Sequence, residues 1–489
     1  MINWLFISTG IFLGWSLGAN HAVNVFGTAV ASRMVRYRTA AVVAGIFVLL
    51  GAVFSGAGTT QTLNTLGAVN AIAGCFTVAL AVGLAVAWMT TLKLPVSTSQ
   101  AVVGGIIGWN MFTGSPTDPA SLSKIVSTWL IGPILAAAFA FVLHKCVAMI
   151  LRNTRFHMLH IDAWTRTGLM IGAATAAYML GANNIANVMG MFVPASPFAD
   201  LTLVPGVRIS GTEQLFFIGG AAIAVGAYTY GERVMATVGK DLYKITPLSG
   251  LVVVAVESIV LFLFTSQSLE RVLVNAGLPS FPLVPLSSTQ VVIGAVIGVG
   301  LAKGGRGINY GVLLKIGAGW VIAPVVAGII AFILLFVVQN VFEQNVVRQT
   351  PYTVTAEVVQ EAGRDGIDTT ALSALTGTRY AGSSSFRRTL EARRTWTEQE
   401  LVILFACARL DSIVVDTLKI DNRLAPDFLS QAQRGALVKY QGATFPHRWQ
   451  FEQALARVSP EWAPLPGSDP IAQRRRQQAA VLYDLFRNH

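Results

Sequence analysis

Gly18-Ala19-Asn20-His21-Ala22-Val23-Asn24-Val25 returns 163 positions later as Gly181-Ala182-Asn183-Asn184-Ile185-Ala186-Asn187-Val188, and each copy lies inside a long apolar run. A second pair follows in the same order: Pro95-Val96-Ser97-Thr98-Ser99-Gln100 and Pro285-Leu286-Ser287-Ser288-Thr289-Gln290. Beyond these, Gly104-Gly105-Ile106-Ile107-Gly108 matches Gly294-Ala295-Val296-Ile297-Gly298. Lys124-x4-Trp129-x3-Pro133 matches Lys315-x4-Trp320-x3-Pro324. Four spaced elements at offsets of 163, 190, 190 and 191 positions make an internal repeat. Polar motifs buried in apolar segments and present twice predict a site assembled from two related halves.

Composition sets the solvent. The chain has 489 residues, 53% of them hydrophobic and only 12% charged. Soluble domains carry about 25% charged residues, so this reads as an integral membrane protein whose principal partner is the lipid bilayer. Residues 1–345 hold 9 acidic and 17 basic residues, and 346–489 hold 15 and 18. The basic surplus therefore flanks apolar spans, as cytoplasmic loops do, and nucleic acid is not an expected partner. Cys75, Cys146 and Cys407 form no C-x-x-C and imply neither a disulfide framework nor a thiolate site. His157-x-x-His160-x-Asp162 has metal-like spacing but sits in a basic loop and reads as surface. No metal or cofactor is expected. The spans lack a carboxylate dyad, a Ser-His arrangement and an H-E-x-x-H helix, so the chain is not read as an enzyme. The first twenty residues lack a charged leader and run into the Gly18 motif, which reads as a retained span.

Crossing a bilayer takes about 20 apolar residues. Segments 2–30, 40–57, 68–91, 125–150, 167–193, 214–230, 247–265 and 311–340 meet that length. Segments 95–112 and 284–302 open with proline and hydroxyl residues and read as full spans or re-entrant half-helices, for about 10–12 crossings in all. Basic clusters at Arg33/Arg36/Arg38, Lys145–Arg166, Arg233–Lys244 and Lys303/Arg306, placed in the cytoplasm, make the repeats inverted. The expected fold is an all-α polytopic membrane protein of two inverted repeats with broken or re-entrant helices, plus a C-terminal soluble helical domain. Its parts are repeat 1 (1–165), repeat 2 (166–347), a linker (348–390) and the soluble domain (391–489), in which Thr397-x-x-Glu400 forms a capping box before Leu401–Ala408. The expected location is the cytoplasmic (inner) membrane.

Asn20 and Asn24 are four apart and share a helix face, as do Asn183 and Asn187. Proline before each hydroxyl run places Ser97, Thr98, Ser99 and Gln100, and likewise Ser287, Ser288, Thr289 and Gln290, at helix N-termini. Unpaired N–H groups and about half a positive charge there suit an anion without any Arg or Lys. These twelve residues are the expected substrate contacts, for a tetrahedral oxyanion. A single Asn or Ser in a membrane helix more often just bonds a neighbouring helix; duplication of both motifs in register argues for function. His21, Asn184, Thr28 and Glu257 are the candidates for handling a coupling ion.

These motifs resemble the PiT family of inorganic phosphate transporters. Its signature Gly-Ala-Asn-Asp-x-Ala-Asn is matched at 18–24 and 181–187, and its Pro-Val-Ser-(Ser/Thr)-Thr-His at 95–100 and 285–290. Further similarity runs through Tyr228–Val234, Thr237–Lys240 and Thr246-Pro247, and the resemblance covers about residues 5–340 without the tail. It implies alternating-access transport of phosphate with a proton or sodium ion, the motif residues binding both. Here, however, the signature aspartates are His21 and Asn184, and the terminal histidines are Gln100 and Gln290. Sodium thus loses its carboxylate ligands, whereas His21, with an unperturbed pKa of about 6.5, reads equally as a proton carrier or as a packing histidine. The same losses favour an oxyanion that carries no proton, so sulfate is the alternative substrate. An oxyanion sensor is a second alternative, and a homodimer stays open.

Overall fold

The computed structural model describes residues 2–91, 96–154, 157–204, 207–238, 246–305, 310–423, 428–463 and 470–487. Pro95, Arg155, Gly239, Lys240, Lys244 and Arg306, used in the sequence reading, lie outside the described residues. The chain divides into two compact units. One comprises Met1–Phe112, Thr117–Gln267 and Phe281–Arg348; the other comprises Thr113–Pro116, Ser268–Ser280 and Gln349–His489.

In the first unit the helices are α1 (Ile2–Ala31), α2 (Tyr37–Ser55), α3 (Ala57–Leu66), α4 (Ile72–Thr91), α5 (Thr98–Thr113), α6 (Pro119–Asn153) and α7 (Met158–Val188). A short antiparallel hairpin, β1 (Leu201–Val204) and β2 (Val207–Ile209), leads into α8 (Gly211–Val238) and α9 (Pro247–Thr265). The short α10 (Gln267–Asn275), which falls in the second unit from Ser268 on, interrupts the first unit before α11 (Ser288–Ala302) and α12 (Tyr310–Asn340). Five of these, α2, α4, α6, α9 and α12, are long and apolar enough to cross a membrane by length and composition. Their outer faces expose Leu130, Ile134, Val321, Val325, Ile329 and Phe336, which suits hydrocarbon and not water. At 16 and 15 residues, α5 and α11 are too short to span alone.

Local chemistry fixes the ends. Asp118 caps α6 by accepting from the N–H groups of Ala120 and Ser121, with Pro119 in the first turn. Thr246 and Pro247 start α9 in the same way. Between the expected spans 40–57 and 68–91 the chain forms a further helix, α3. Its polar run Gly58-Thr59-Thr60-Gln61 is helical because Thr59 and Thr60 return their hydroxyls to the Gly56 carbonyl, and Thr59 also reaches the Ala182 carbonyl.

The two related halves interleave through glycines. A Cβ built at Gly18 of α1 would stand 1.9 Å from the Ile223 carbonyl oxygen of α8; one at Gly181 of α7 would stand 2.0 Å from that of Val48 in α2. Gly104 of α5 presses on the Pro324 carbonyl of α12 (1.9 Å), and Gly294 of α11 on the Pro133 carbonyl of α6 (2.2 Å). Each half thus packs its motif helices against helices of the other half, and the backbones come too close for any side chain.

The second unit begins earlier than the sequence suggested. Where a linker was expected over 348–390, the chain forms β3 (Tyr352–Val354), α13 (Ala356–Arg364), α14 (Thr370–Ser373), β4 (Thr378–Tyr380) and α15 (Ser383–Glu391). Tyr352, Val354, Val358, Phe386 and Leu390 share one core with Leu401 and Phe405 of α16 (Glu398–Ala408), which carries the expected capping box. Then β5 (Ile413–Val414), α17 (Thr417–Arg423), α18 (Gln431–Lys439), β6 (Thr444–Phe445), α19 (Arg448–Val458) and α20 (Pro470–Phe486) repeat the order strand, two helices, strand, two helices around a second core. Gly377, Tyr380, Phe386 and Leu390 correspond to Gly442, Phe445, Phe451 and Leu455, all 65 positions on. Gly377 and Gly442, both at positive φ, donate to the carbonyls of Val354 and Val415. Arg409 bridges back to Tyr352 and Arg487 to Ile413, and both guanidinium groups flank the buried Asp411, at 3.2 and 3.3 Å. This unit is a tandem duplication, helical in the main but closed by short ladders. Burial pushes the nearby Tyr483 hydroxyl up to about 12.

Overpacking at the glycine contacts costs about 1–3 kcal/mol or more, because backbone and not a side chain must give way. Gly104→Ala and Gly294→Ala should each lower the melting temperature of the purified protein. Gly317→Ala on α12, where a Cβ meets nothing within 4 Å, should leave it unchanged.

Candidate functional site

The hydroxyl runs sit where their proline-led sequences put them. Ser287 caps α11 and accepts from the Gln290 N–H at 3.3 Å; Ser97 does the same for α5 with the Gln100 N–H, also 3.3 Å. Ser97, Thr98, Ser99 and Gln100 are buried, as are Ser287, Ser288 and Gln290, with Thr289 half-buried. Each half-helix therefore aims its N-terminal N–H groups into the protein interior, at a point flanked by hydroxyls.

Helix α7 joins the two half-helices. The Asn183 side chain donates to the Leu286 carbonyl at 2.7 Å and accepts from the Leu286 N–H at 2.8 Å. That closed pair of amides fixes the segment just before α11. The Asn183 amide, one of the expected substrate contacts, is engaged by backbone at both its donor and its acceptor in this structure. Ser99 of α5 donates to the same Leu286 carbonyl at 3.1 Å and accepts from Asn187 Nδ2 at 2.8 Å. Asn187 also donates to Asn184 Oδ1 at 3.1 Å, and Asn184 donates back along its helix to the Leu180 carbonyl. Residues from both repeats thereby meet at one backbone carbonyl, that of Leu286, inside the second duplicated motif.

Several buried groups at this place have no hydrogen-bond partner among the described residues: Asn187 Oδ1, Gln100 Oε1, Gln290 Oε1 and Ser288 Oγ. Buried polar atoms are nearly always paired, so these four at two helix N-termini mark a candidate polar site. On α1, which packs against α7, α9 and α11, Asn20 and Asn24 are half-buried and His21 is buried, its Nδ1 3.0 Å from the Leu17 carbonyl. The Thr28 side chain lies against Gly250 of α9 and is packing at least in part. Glu257, two turns further along that face of α9, is fully buried, and neither carboxylate oxygen has a partner among the described residues. No group of three or more His, Cys, Asp or Glu that could hold a metal ion occurs among the described residues.

Similarity to known proteins follows the same architecture. Residues 17–270 and 274–453 match the model of the phosphate transporter family. The match extends past residue 340, where the motif resemblance was expected to stop. A protein of Pyrococcus furiosus named "Putative phosphate permease" is 27% identical over 410 residues, 67% of this chain and 94% of its own. One of the same name from Methanocaldococcus jannaschii is 30% identical over 325 residues, 66% of this chain and 93% of its own. Arabidopsis thaliana "Inorganic phosphate transporter 2-1, chloroplastic" is 23% identical over 440 residues, covering 69% and 72%. A solved structure, "The sodium-dependent phosphate transporter", superposes with a TM-score of 0.58 at 22% identity, over 69% of this chain and 99% of that one, and shares its fold. This multi-pass membrane chain belongs to the phosphate transporter family.

Proposed function

We propose that this protein carries inorganic phosphate across the cytoplasmic membrane by alternating access between its two repeats, which we take to be inverted in the bilayer. The observation that carries this reading is the pair of half-helices, α5 and α11, whose hydroxyl-flanked N-termini are tied together through Leu286 by Ser99, Asn183 and Asn187. Phosphate sits between these termini, held by backbone N–H groups and by Ser97, Thr98, Ser99, Ser287, Ser288 and Thr289. Asn20, Asn24 and Asn187 close the site from α1 and α7. No Arg or Lys is among these contacts, which suits a carrier that must also release its anion. Sulfate is the second reading, favoured by the absence of carboxylates at His21 and Asn184.

Coupling follows from the same residues. With no acid in either Gly-Ala-Asn motif, sodium has only neutral oxygens to bind. An ionised carboxylate buried without a partner costs several kcal/mol, so Glu257 persists only beside a cation or with a proton. Intramembrane acids of this kind serve as proton relays. Glu257 is assigned the proton, with His21 on the neighbouring α1 as its exchange partner.

In vesicles containing the purified protein, Ser99→Ala should lower labelled phosphate uptake about tenfold or more, as expected for one broken buried hydrogen bond. Unchanged uptake removes α5 from the site. Glu257→Gln should abolish stimulation by an inwardly directed proton gradient while sparing phosphate exchange at equal pH. A gradient response like that of wild type rules Glu257 out, and strict dependence on sodium would assign coupling elsewhere.

A further inference from the structure

The two tryptophans of the fourth repeated element, Trp129 and Trp320, lie on the helices packed against α11 and α5. Gly294 meets the Pro133 carbonyl and Gly298 that of Ala137, so α11 and α6 run parallel in a fixed register of 161 positions. Gly104 meets Pro324 and Gly108 meets Gly328, so α5 and α12 run parallel in a register of 220 positions. One turn before each first contact, the first register places Trp129 level with Gln290, and the second places Trp320 level with Gln100. Gly132, three residues after Trp129, also lies against the Leu286 and Val291 side chains. That seats this turn of α6 at the start of α11. Long side chains on a helix lean toward its N-terminus, which carries both indoles toward the hydroxyl-flanked ends of the half-helices.

All four polar groups are unsatisfied. The indole N–H groups of Trp129 and Trp320, and the Oε1 atoms of Gln100 and Gln290, are shielded from solvent and have no hydrogen-bond partner among the described residues. Both glutamines are 2% exposed. Each pair across the two halves thus offers one orphan donor and one orphan acceptor at the same level, and the second pair repeats the first with the halves exchanged. An indole N–H only donates, and an amide oxygen only accepts.

We propose that the Trp129–Gln290 and Trp320–Gln100 pairs are the part of the anion site that distinguishes a protonated oxyanion from an unprotonated one. The indoles donate to anion oxygens, which phosphate, arsenate and sulfate all present. The glutamine oxygens accept the P–OH or As–OH hydrogen, which sulfate lacks at neutral pH. Facing sulfate, each of these acceptors is left buried without a proton to take, and that mismatch is what rejects the wrong ligand. Neutral amides thereby take over the accepting role that carboxylates at 21 and 184 do not fill. The inference rests on the phosphate-carrier reading and names how that carrier selects.

Binding of inorganic phosphate, arsenate and sulfate to the purified full-length protein tests it. Gln100→Met with Gln290→Met should weaken phosphate and arsenate by about tenfold or more relative to sulfate. Trp129→Phe with Trp320→Phe should weaken all three in parallel. Where a double variant does not fold, each single variant reads the same ratios. A phosphate-to-sulfate preference that survives loss of both glutamines overturns the inference. So do unaltered affinities in the tryptophan variant, which would mean that ordered water alone fills these positions. Either result leaves transport standing; absence of phosphate uptake by the wild-type protein would instead overturn the carrier reading.

Discussion

Four carbonyl oxygens that occupy the places where side chains would otherwise begin set how the two halves of the first unit pack. At Gly18, Gly181, Gly104 and Gly294 a backbone oxygen of the opposite half lies within about 2 Å of where a Cβ would stand. Apolar burial gives little preference between helices in lipid, so backbone approach and interhelical hydrogen bonds must set the pairing. These four contacts do so reciprocally: each repeat supplies the glycine twice and the carbonyl twice. The exchange fixes the depth of α5 and α11, hence the place where their N-termini meet. The Asn183–Leu286 amide pair and the Ser99 hydroxyl then lock that meeting point. The proposed site is a consequence of how the halves interleave.

Much of this was legible in the sequence, for definite reasons. Segment 247–265 was read as a span and α9 has those bounds, because Thr246-Pro247 starts a helix and the apolar run ends at Ser266. Ser97 and Ser287 fell at helix caps because hydroxyls before an apolar run have few other uses. The duplicated glycines pointed to close packing, although which carbonyls they meet is a tertiary fact. Other parts were hidden. The polar composition of α3 masks a helix whose hydroxyls bond to backbone carbonyls. Asn183 carries the same motif letters as Asn187, yet its amide is spent on a backbone that arrives from 103 residues away. The Gly, Ser and charge content of 348–390 reads as linker, but Tyr352, Phe386 and Leu390 are core residues spaced across short elements. Val358 and Ala362, and Phe386 and Leu390, do recur at helical spacing, but each lies in a helix of only 9 residues set among Gly, Ser and charges.

The site is notable for the kind of atom it leaves open. Hydroxyls and helix-terminal N–H groups supply donors, as any tetrahedral anion requires. Among the described residues, the buried atoms there without partners include the amide oxygens of Asn187, Gln100 and Gln290, the last two in repeat-related positions. Such a set is neutral overall, so it can release its ligand, and it still distinguishes ligands by where they carry hydrogen. The family pattern places acids at two positions where this chain has His21 and Asn184. Its one fully buried carboxylate among the described residues, Glu257, stands on a different helix. The C-terminal unit, built by its own duplication around Asp411, follows a separate logic of paired cores and shares none of these motifs.

Anomalous scattering from arsenate bound to the crystallised protein tests the central claim most directly, because arsenate matches phosphate in shape and protonation. The account predicts a single strong peak between the N-termini of α5 and α11, within hydrogen-bonding reach of Ser99 and Ser287. A peak elsewhere in the membrane unit, or none there at arsenate concentrations that block phosphate uptake, would contradict it.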